Sequence, residues 1–281
     1  MPKFLLLMII ACQWPVAMAQ VVREKSIPYV PVNQKGFDRK RNTMDIFHVS
    51  DSVPNKPVLI FIHGGSWGSG NKNIYKAMGR NLVKKGFVSV IINYRLAPKV
   101  QYTAMISDCT KAVMWVYQNI TQYGGNPDQI TLAGHSAGAH LSASIAFKKT
   151  YEKWNIGNPI QQLILLDPFG LDMVQFFNEH NTRYSRSLYK VFTPSPTQWK
   201  MASPLYDIDD TIETPVRILV GSKTYKVIQQ QSKVFYDSLQ YHRVPSQYQI
   251  VKGKRHIGMI TQFFRQNSKA FAILLEGDTA N

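Results

Sequence analysis

A serine flanked by two glycines is the first group in this sequence whose type and spacing could do chemistry. Residues 134–138 read Gly-His-Ser-Ala-Gly, which fits the pattern G-x-S-x-G. The pattern lies between a predicted strand at residues 129–133 and a predicted helix at residues 137–147. A tight turn from strand to helix strains the backbone of the serine and leaves no room for side chains at positions 134 and 138. Ser136 is therefore predicted to be a nucleophile.

A second glycine-containing motif could stabilise the negative charge that such a nucleophile creates. Residues 63–67 read His-Gly-Gly-Ser-Trp and follow a continuous apolar run at residues 58–62, which is typical of a buried strand. The motif resembles the HGG-type oxyanion loop of esterases, in which backbone N–H groups face the developing oxyanion. Gly64, Gly65 and the N–H of Ala137 are the predicted oxyanion-hole residues. His63 is predicted to be structural, and Trp67 to be either a pocket wall or a packing residue.

The predicted general base is His256, which follows the last predicted strand and precedes the last predicted helix. A serine followed later in the chain by its histidine is the order used by α/β-hydrolases. The other histidines fit this role less well because of their positions. His48 precedes the oxyanion loop, and His135 and His140 belong to the serine turn. His180 lies in the predicted cap, and His242 precedes the last strand.

Strands alternate with helices along most of the chain, and this alternation must position the candidate residues. The pattern predicts strands at residues 43–48, 58–62, 87–93, 129–133, 160–166, 216–220 and 248–251. It predicts helices at residues 74–85, 104–123 and 137–147 and one closing helix that carries the apolar residues between 259 and 274. We expect one domain over residues 20–281, with a mostly parallel sheet, helices on both of its faces and a small cap at residues 168–205.

Four motifs together resemble those of a known group of enzymes. They are HGGSWGSGNK at residues 63–72, NYRLAP at residues 93–98, Asn-Pro-Asp at residues 126–128 and GHSAGAHL at residues 134–141. The combination resembles the α/β-hydrolases that include bacterial feruloyl-esterase-like proteins, kynurenine formamidases and relatives of hormone-sensitive lipase, over about residues 43–265. The resemblance implies an α/β-hydrolase fold and hydrolysis of an ester, or less often of an arylformamide, through an acyl-enzyme intermediate.

The sequence departs from this group at the acid of the catalytic triad. The resemblance implies an Asp in the loop after the strand at residues 216–220, where this chain has Thr224. Three interpretations follow: Thr224 could accept a weak hydrogen bond from His256 in a Ser-His dyad, Asp167 at the end of the preceding strand could serve as the acid, or the protein could be a weak or inactive hydrolase. We expect Thr224 to occupy the acid position and activity to be low, since loss of the acid costs roughly ten-thousand-fold in rate in a serine protease.

The expected function is therefore that of a serine carboxylesterase acting on a small-molecule ester. The alternatives are a non-catalytic ligand-binding protein on a hydrolase scaffold and an arylformamidase-type amide hydrolase. The formal net charge of +16 is spread along the chain without a nucleic-acid-binding motif, so no nucleic-acid partner is expected. The chemistry predicted for the site needs neither a metal ion nor a cofactor.

Residues 1–19 predict a signal peptide and export to the periplasm or the medium. Lys3 precedes an apolar run that is too short to span a bilayer, and residues 17–19 form a small-x-small cleavage pattern before Gln20. A competing pattern ends at Cys12 and resembles a bacterial lipoprotein box, so membrane association is expected only if Cys12 is lipidated. Cleavage before Gln20 would leave Cys109 as the single cysteine, without an internal disulfide.

The expected mature N-terminus is Gln20. Intact-mass analysis of the protein recovered from the native envelope or medium should give the mass of residues 20–281, because the cleavage pattern ends at Ala19. A diacylated N-terminus at Cys12 would contradict this expectation.

Overall fold

The computed structural model describes residues 20–50 and 54–275, and its strands form one eight-stranded sheet. The predicted signal peptide and Cys12 lie outside the described residues. The strands are β1 (Val21–Pro28), β2 (Thr43–Val49), β3 (Lys56–Ile62), β4 (Val88–Ile92), β5 (Gly125–His135), β6 (Gln162–Leu166), β7 (Val216–Gly221) and β8 (Ser246–Val251). Their order across the sheet is β1-β2-β4-β3-β5-β6-β7-β8.

Six neighbouring strands of the sheet are parallel. The β1–β2 and β2–β4 pairs are antiparallel, whereas every pair from β4 to β8 is parallel. The predicted mostly parallel sheet is therefore confirmed. Strand β1 was missed because its sequence, VVREKSIP, mixes charged and apolar residues and is partly exposed along its length.

Helices cover both faces of this sheet, as predicted. They are α1 (Lys76–Lys84), α2 (Tyr102–Asn119), α3 (Ala137–Phe147), α4 (Met173–Glu179), α5 (Arg183–Ser187), α6 (Tyr189–Phe192), α7 (Pro196–Met201), α8 (Lys226–Tyr241), α9 (His256–Thr261) and α10 (Ala270–Leu275). Short 3-10 helices lie at Lys72–Tyr75, Ile120–Tyr123, Glu152–Trp154, Pro204–Asp207 and Gln262–Phe264. Among the described residues, no helix is both long and apolar enough to cross a membrane.

The alternation of side chains along β3 shows how the two faces are filled. Val58, Ile60 and Ile62 join one buried cluster, together with residues of α2, α3 and α8. Leu59 and Phe61 join the other cluster, together with residues of α1, α9 and α10. Because successive side chains of a strand point to opposite faces, a continuous apolar run is what a strand buried on both faces requires.

The single closing helix of the sequence analysis is wrong. Helix α9 ends at Thr261, a 3-10 turn follows at Gln262–Phe264, and α10 begins only at Ala270. The polar residues 265–269 interrupt the helix, and the hydroxyl of Ser268 accepts a hydrogen bond from the N–H of Ala270. Such local side-chain bonds compete with helix continuation.

The segment predicted as a cap, residues 168–205, lies between β6 and β7. It contains the four short helices α4 to α7, and its aromatic residues pack against one another: the rings of Phe177 and Trp199 are stacked at 4.6 Å and those of Phe169 and Phe176 meet edge to face at 5.1 Å.

Helix α3 approaches the end of β3 so closely that residue 138 must be glycine. A Cβ atom at Gly138 would lie 2.6 Å from the carbonyl oxygen of His63 and closer still to that of Ile62. This contact sets the helix that follows Ser136 directly against the loop that begins at His63.

Replacing Gly138 with Ala should therefore destabilise the fold. We expect a loss of about 2 kcal/mol from overpacking, and a fall of the thermal unfolding midpoint by about 5 °C. Gly258→Ala is the matched control, since Gly258 also lies in a helix and a Cβ there would meet only the flexible end of Lys254 at 3.8 Å. Equal midpoints for the two variants in thermal circular dichroism would contradict the packing described here.

Candidate active site

Ser136 occupies the sharp turn between β5 and α3. Its φ of 57° and ψ of −122° are rare for a residue with a side chain, as expected for a strained turn. A Cβ at Gly134 would run into the backbone of Gly138, so the glycine is required there. The N–H of Ser136 donates to the carbonyl of Leu166, which ties the turn to the end of β6.

The structure brings His256 to Ser136 although the two residues are far apart in sequence. His256 is the first residue of α9, and its Nε2 lies 2.9 Å from the Oγ of Ser136. Its other nitrogen, Nδ1, lies 2.7 Å from Oδ2 of Asp167. An ionised carboxylate can only accept, so Nδ1 carries the proton and donates to Asp167, and Nε2 is free to accept the Ser136 hydroxyl proton.

The acid beside His256 is Asp167, so the prediction that Thr224 takes the acid position is wrong. Thr224 lies after β7 as expected, but its hydroxyl donates to Oδ2 of Asp167. The physical reason is the pairing of β6 with β7: the carboxyl ends of these parallel strands are adjacent, so an aspartate after β6 reaches the place expected for one after β7. In the prediction from the sequence, Asp167 was only an alternative acid.

The Asp167 carboxylate is fully buried and bonded on both oxygens. Oδ1 accepts from the N–H of Gly221 at 2.8 Å, and Oδ2 accepts from Thr224 and from His256. A buried charge is stable only when it is paired and hydrogen-bonded. Thr224 is therefore a positioning residue that holds the carboxylate toward the imidazole.

His135 contacts both the backbone and the ring of His256, and the sequence did not predict this role. Its Nε2 lies 3.1 Å from the backbone oxygen of His256, and the two rings are 4.6 Å apart. Burial, followed by the proximity of His256, lowers the pKa of His135 to about 3. The ring is therefore neutral at ordinary pH and donates from Nε2 to that carbonyl, which fixes the first residue of α9. Its position next to Ser136 is the only sequence signal that could have indicated this role.

The predicted oxyanion residues lie against the serine. A Cβ at Gly64 would be 3.1 Å from the Cβ of Ser136, so the backbone of this loop passes close to the nucleophile. Gly65 has a φ of 129°, a conformation that favours glycine, and both glycines line the same cavity as Ser136. Ala137 is the first residue of α3, and the N–H groups of a first helical turn have no partner within the helix.

Trp67 is a packing residue, which decides between the two roles left open by the sequence. It is fully buried, and its Nε1 donates to Nδ1 of His140 at 3.2 Å. Nε2 of His140 donates in turn to the carbonyl of Ala202 at 2.7 Å, and burial lowers the pKa of His140 to about 4. The neutral imidazole thus links the loop after β3 to the segment between β6 and β7.

A cavity of about 860 Å³ opens onto Ser136 and His256. Its walls come from the loop after β3, the cap segment, the start of α8 and the α9 region, and most of its lining is apolar or aromatic, including Tyr75, Phe169, Phe176, Tyr184 and Phe264. Within residues 20–50 and 54–275, no group of three or more His, Cys, Asp or Glu side chains is placed to hold a metal ion.

The fold and the Ser-His-Asp arrangement define the class of this protein, an α/β-hydrolase fold with a serine at the nucleophile turn. A model of the BD-FAE family matches residues 44–239, and the chain belongs to this family.

Curated relatives are similar over most of this chain. A probable isoprenylcysteine alpha-carbonyl methylesterase of Arabidopsis thaliana is 28% identical over 237 residues, which are 79% of this chain and 56% of the relative. Esterase LipQ of Mycobacterium tuberculosis is 32% identical over 226 residues, 74% of this chain and 51% of the relative. The chain thus spans about half the length of these relatives.

Solved structures show the same fold at low sequence identity. Esterase B from Lactobacillus rhamnosis superimposes with a TM-score of 0.74 at 18% identity, covering 91% of this chain and 83% of that one. A truncated carbohydrate esterase from gut microbiota gives a TM-score of 0.73 at 20% identity, covering 90% and 95%. The predicted α/β-hydrolase fold is confirmed.

Substitutions at Asp167 and Thr224 should separate the acid from its positioning residue. Asp167→Asn keeps the side-chain shape but removes the charge that stabilises imidazolium, and we expect kcat on an aryl ester to fall about ten-thousand-fold. Thr224→Val removes one hydrogen bond to a charged group, and we expect kcat on the same ester to fall roughly ten- to a hundredfold. Stopped-flow or steady-state kinetics on both variants, with unfolding midpoints as the control, will measure this. A larger loss for Thr224→Val than for Asp167→Asn would contradict the assignment.

Proposed function

We propose that the protein is a serine carboxylesterase that hydrolyses a carboxylic ester through an acyl-enzyme intermediate. The observation that carries the proposal is the continuous chain of hydrogen bonds from Ser136 through His256 to Asp167, which faces a cavity of about 860 Å³. Relatives named as esterases support an ester as the substrate.

Acylation follows from the geometry of this chain. The Oγ of Ser136 attacks the ester carbonyl while Nε2 of His256, at 2.9 Å, takes the hydroxyl proton. Asp167 stabilises the imidazolium through Nδ1. The negative oxygen of the tetrahedral intermediate would be bound by backbone N–H groups of the Gly64–Gly65 loop and of Ala137. His256 then returns the proton to the departing alcohol, and the acyl group remains on Ser136.

Deacylation uses the same groups with water in place of the serine. His256 takes a proton from the water that attacks the acyl-enzyme, the oxyanion residues bind the second tetrahedral intermediate, and the proton returns to Ser136 as the acid leaves. The cap segment at residues 168–205 supplies Phe169, Phe176 and Tyr184 to the cavity wall, where they would contact the apolar part of the ester.

The contact between Asp167 and His256 removes the reason to expect low activity or a role in binding alone. The expectation of low activity and the binding-only alternative both depended on the absence of a carboxylate at position 224. Since Asp167 contacts Nδ1 of His256, each member of a Ser-His-Asp triad has a partner at hydrogen-bond distance. We therefore propose a competent hydrolase acting on a small-molecule ester.

We also propose that the protein is exported. The basis is the sequence of residues 1–19, with Lys3, its apolar run and the cleavage pattern before Gln20. Cys109 is a free, buried cysteine, and burial raises the pKa of its thiol well above the ordinary value, which makes it a poor nucleophile.

Replacement of the nucleophile tests the proposed reaction. Ser136→Ala should lower kcat on p-nitrophenyl acetate by at least about ten-thousand-fold, because the group that is acylated is removed. The wild-type protein should gain the mass of a fluorophosphonate probe on Ser136, and the variant should not. An adduct on another residue, or equal turnover by the two proteins, would contradict the proposal.

A further inference from the structure

The mouth of the active-site cavity carries apolar side chains that are exposed to solvent. Ile74, Tyr184, Tyr225 and Ile257 line the cavity and are also 48 to 63% exposed. They come from four separate segments: the 3-10 turn before α1, helix α5, the residue before α8, and helix α9. Exposed apolar side chains that line one opening, unlike single scattered ones, mark a site of interaction with a partner, a membrane or a ligand.

Exposed cations accompany these side chains in sequence. Arg183 adjoins Tyr184, Lys226 adjoins Tyr225, and Lys223 and Arg255 lie two residues from Tyr225 and Ile257. All four cations are exposed. Among the residues that the structure describes, none of the four forms an ion pair with an Asp or Glu. The four apolar residues and these four cations are called the mouth surface below.

Acidic residues are absent from the segments that build the mouth surface. Residues 54–107, 180–206, 214–236 and 238–275 contain no Asp or Glu. The rest of the cavity wall consists of His135 and Ser136 at the end of β5 and of Phe169 and Phe176 after β6. In the stretch after β6, Asp167 is buried, Asp172 caps α4 through the N–H of Gln175, and Glu179 accepts from the Gln175 side chain. The segments that carry the mouth surface therefore contribute cations and no carboxylate, and the exposed carboxylate that is nearest to them in sequence is Glu179, four residues before Arg183.

Only one of the four cations lines the cavity itself. Lys226 is the only Lys, Arg, Asp or Glu among the described residues that line the cavity, whereas Arg183, Lys223 and Arg255 lie outside the lining. A small anionic ligand bound within the cavity would need cations directed inward. Exposed cations that adjoin exposed apolar side chains in sequence fit instead an extended surface that has negative headgroups and an apolar interior.

We propose that the mouth surface docks on an anionic lipid bilayer, with the cations on the headgroups and the four apolar side chains at the headgroup–acyl boundary. This association needs no lipid on Cys12. The proposal rests on the proposed function in one respect, since the ester would then reach Ser136 from the side of the bilayer.

Vesicle binding tests the proposal with the full mature chain carrying Ser136→Ala, so that no lipid is hydrolysed. Co-sedimentation should show binding to phosphatidylcholine vesicles that contain phosphatidylglycerol, little binding to phosphatidylcholine alone, and release as salt is raised. Equal binding to the two vesicle types, or no binding to either, would overturn the proposal.

Two triple variants locate the surface. Arg183→Gln, Lys223→Gln and Arg255→Gln together should lower the partition coefficient about a hundredfold, since each cation near an anionic bilayer contributes about fivefold. The control removes the same charge at the opposite edge of the sheet, from exposed cations that precede β4, β6 and β8: Lys85→Gln, Lys153→Gln and Arg243→Gln. The control should bind like the parent protein. Equal losses in the two triples would show attraction by net charge alone and overturn the docking surface.

The apolar contribution has its own matched pair. Ile257→Ser should weaken vesicle binding severalfold, whereas Ile250→Ser, at a 48% exposed isoleucine in β8, should not. Hydrolysis of p-nitrophenyl acetate by the wild-type protein is measured in parallel. Hydrolysis without binding to anionic vesicles refutes the docking surface alone, and binding without hydrolysis refutes the proposed function alone.

Discussion

The buried carboxylate of Asp167 is the interaction on which the rest of the site depends. An ionised group without exposed surface must be surrounded by hydrogen-bond donors. Here the N–H of Gly221, the hydroxyl of Thr224 and the imidazole of His256 supply them. The carboxylate therefore fixes where the ends of β6 and β7 meet the start of α9. The same imidazole is thereby held against the nucleophile on its other side.

The parallel sheet explains why these groups meet. The oxyanion loop, the nucleophile turn, Asp167, Thr224 and His256 each come soon after the carboxyl end of a strand, namely β3, β5, β6, β7 and β8. In an open α/β sheet these ends share one edge, and ligands bind outside it. The apolar side chains and cations at the mouth of the cavity lie in segments that follow the same strand ends. The ester and the bilayer from which we infer that it comes would therefore both approach the same side of the molecule.

Short sequence motifs predicted the nucleophile turn and the oxyanion loop, because the geometry of each is determined by residues close together in sequence. The glycines around Ser136 and at residues 64 and 65 are required by close backbone contacts that a five-residue motif already implies. The identity of the acid could not be predicted in this way, because it depends on a hydrogen bond between side chains after two different strands. The supporting role of His135 and the packing role of Trp67 are likewise set by tertiary contacts. The signal for Asp167 was its place directly after a buried strand, but the resemblance to the hydrolase group implied an acid after the next strand, at position 224.

The tautomer of His256 shows whether Asp167 orients the imidazole, because the carboxylate of Asp167 should determine which ring nitrogen carries the proton. Long-range proton–nitrogen correlation spectra of histidine-labelled protein, at a pH where His256 is neutral, report that tautomer. We expect a proton on Nδ1 of His256 in the wild-type protein, and in Thr224→Val as well. A proton on Nε2 in the wild-type protein would show that Asp167 does not hold the imidazole for catalysis.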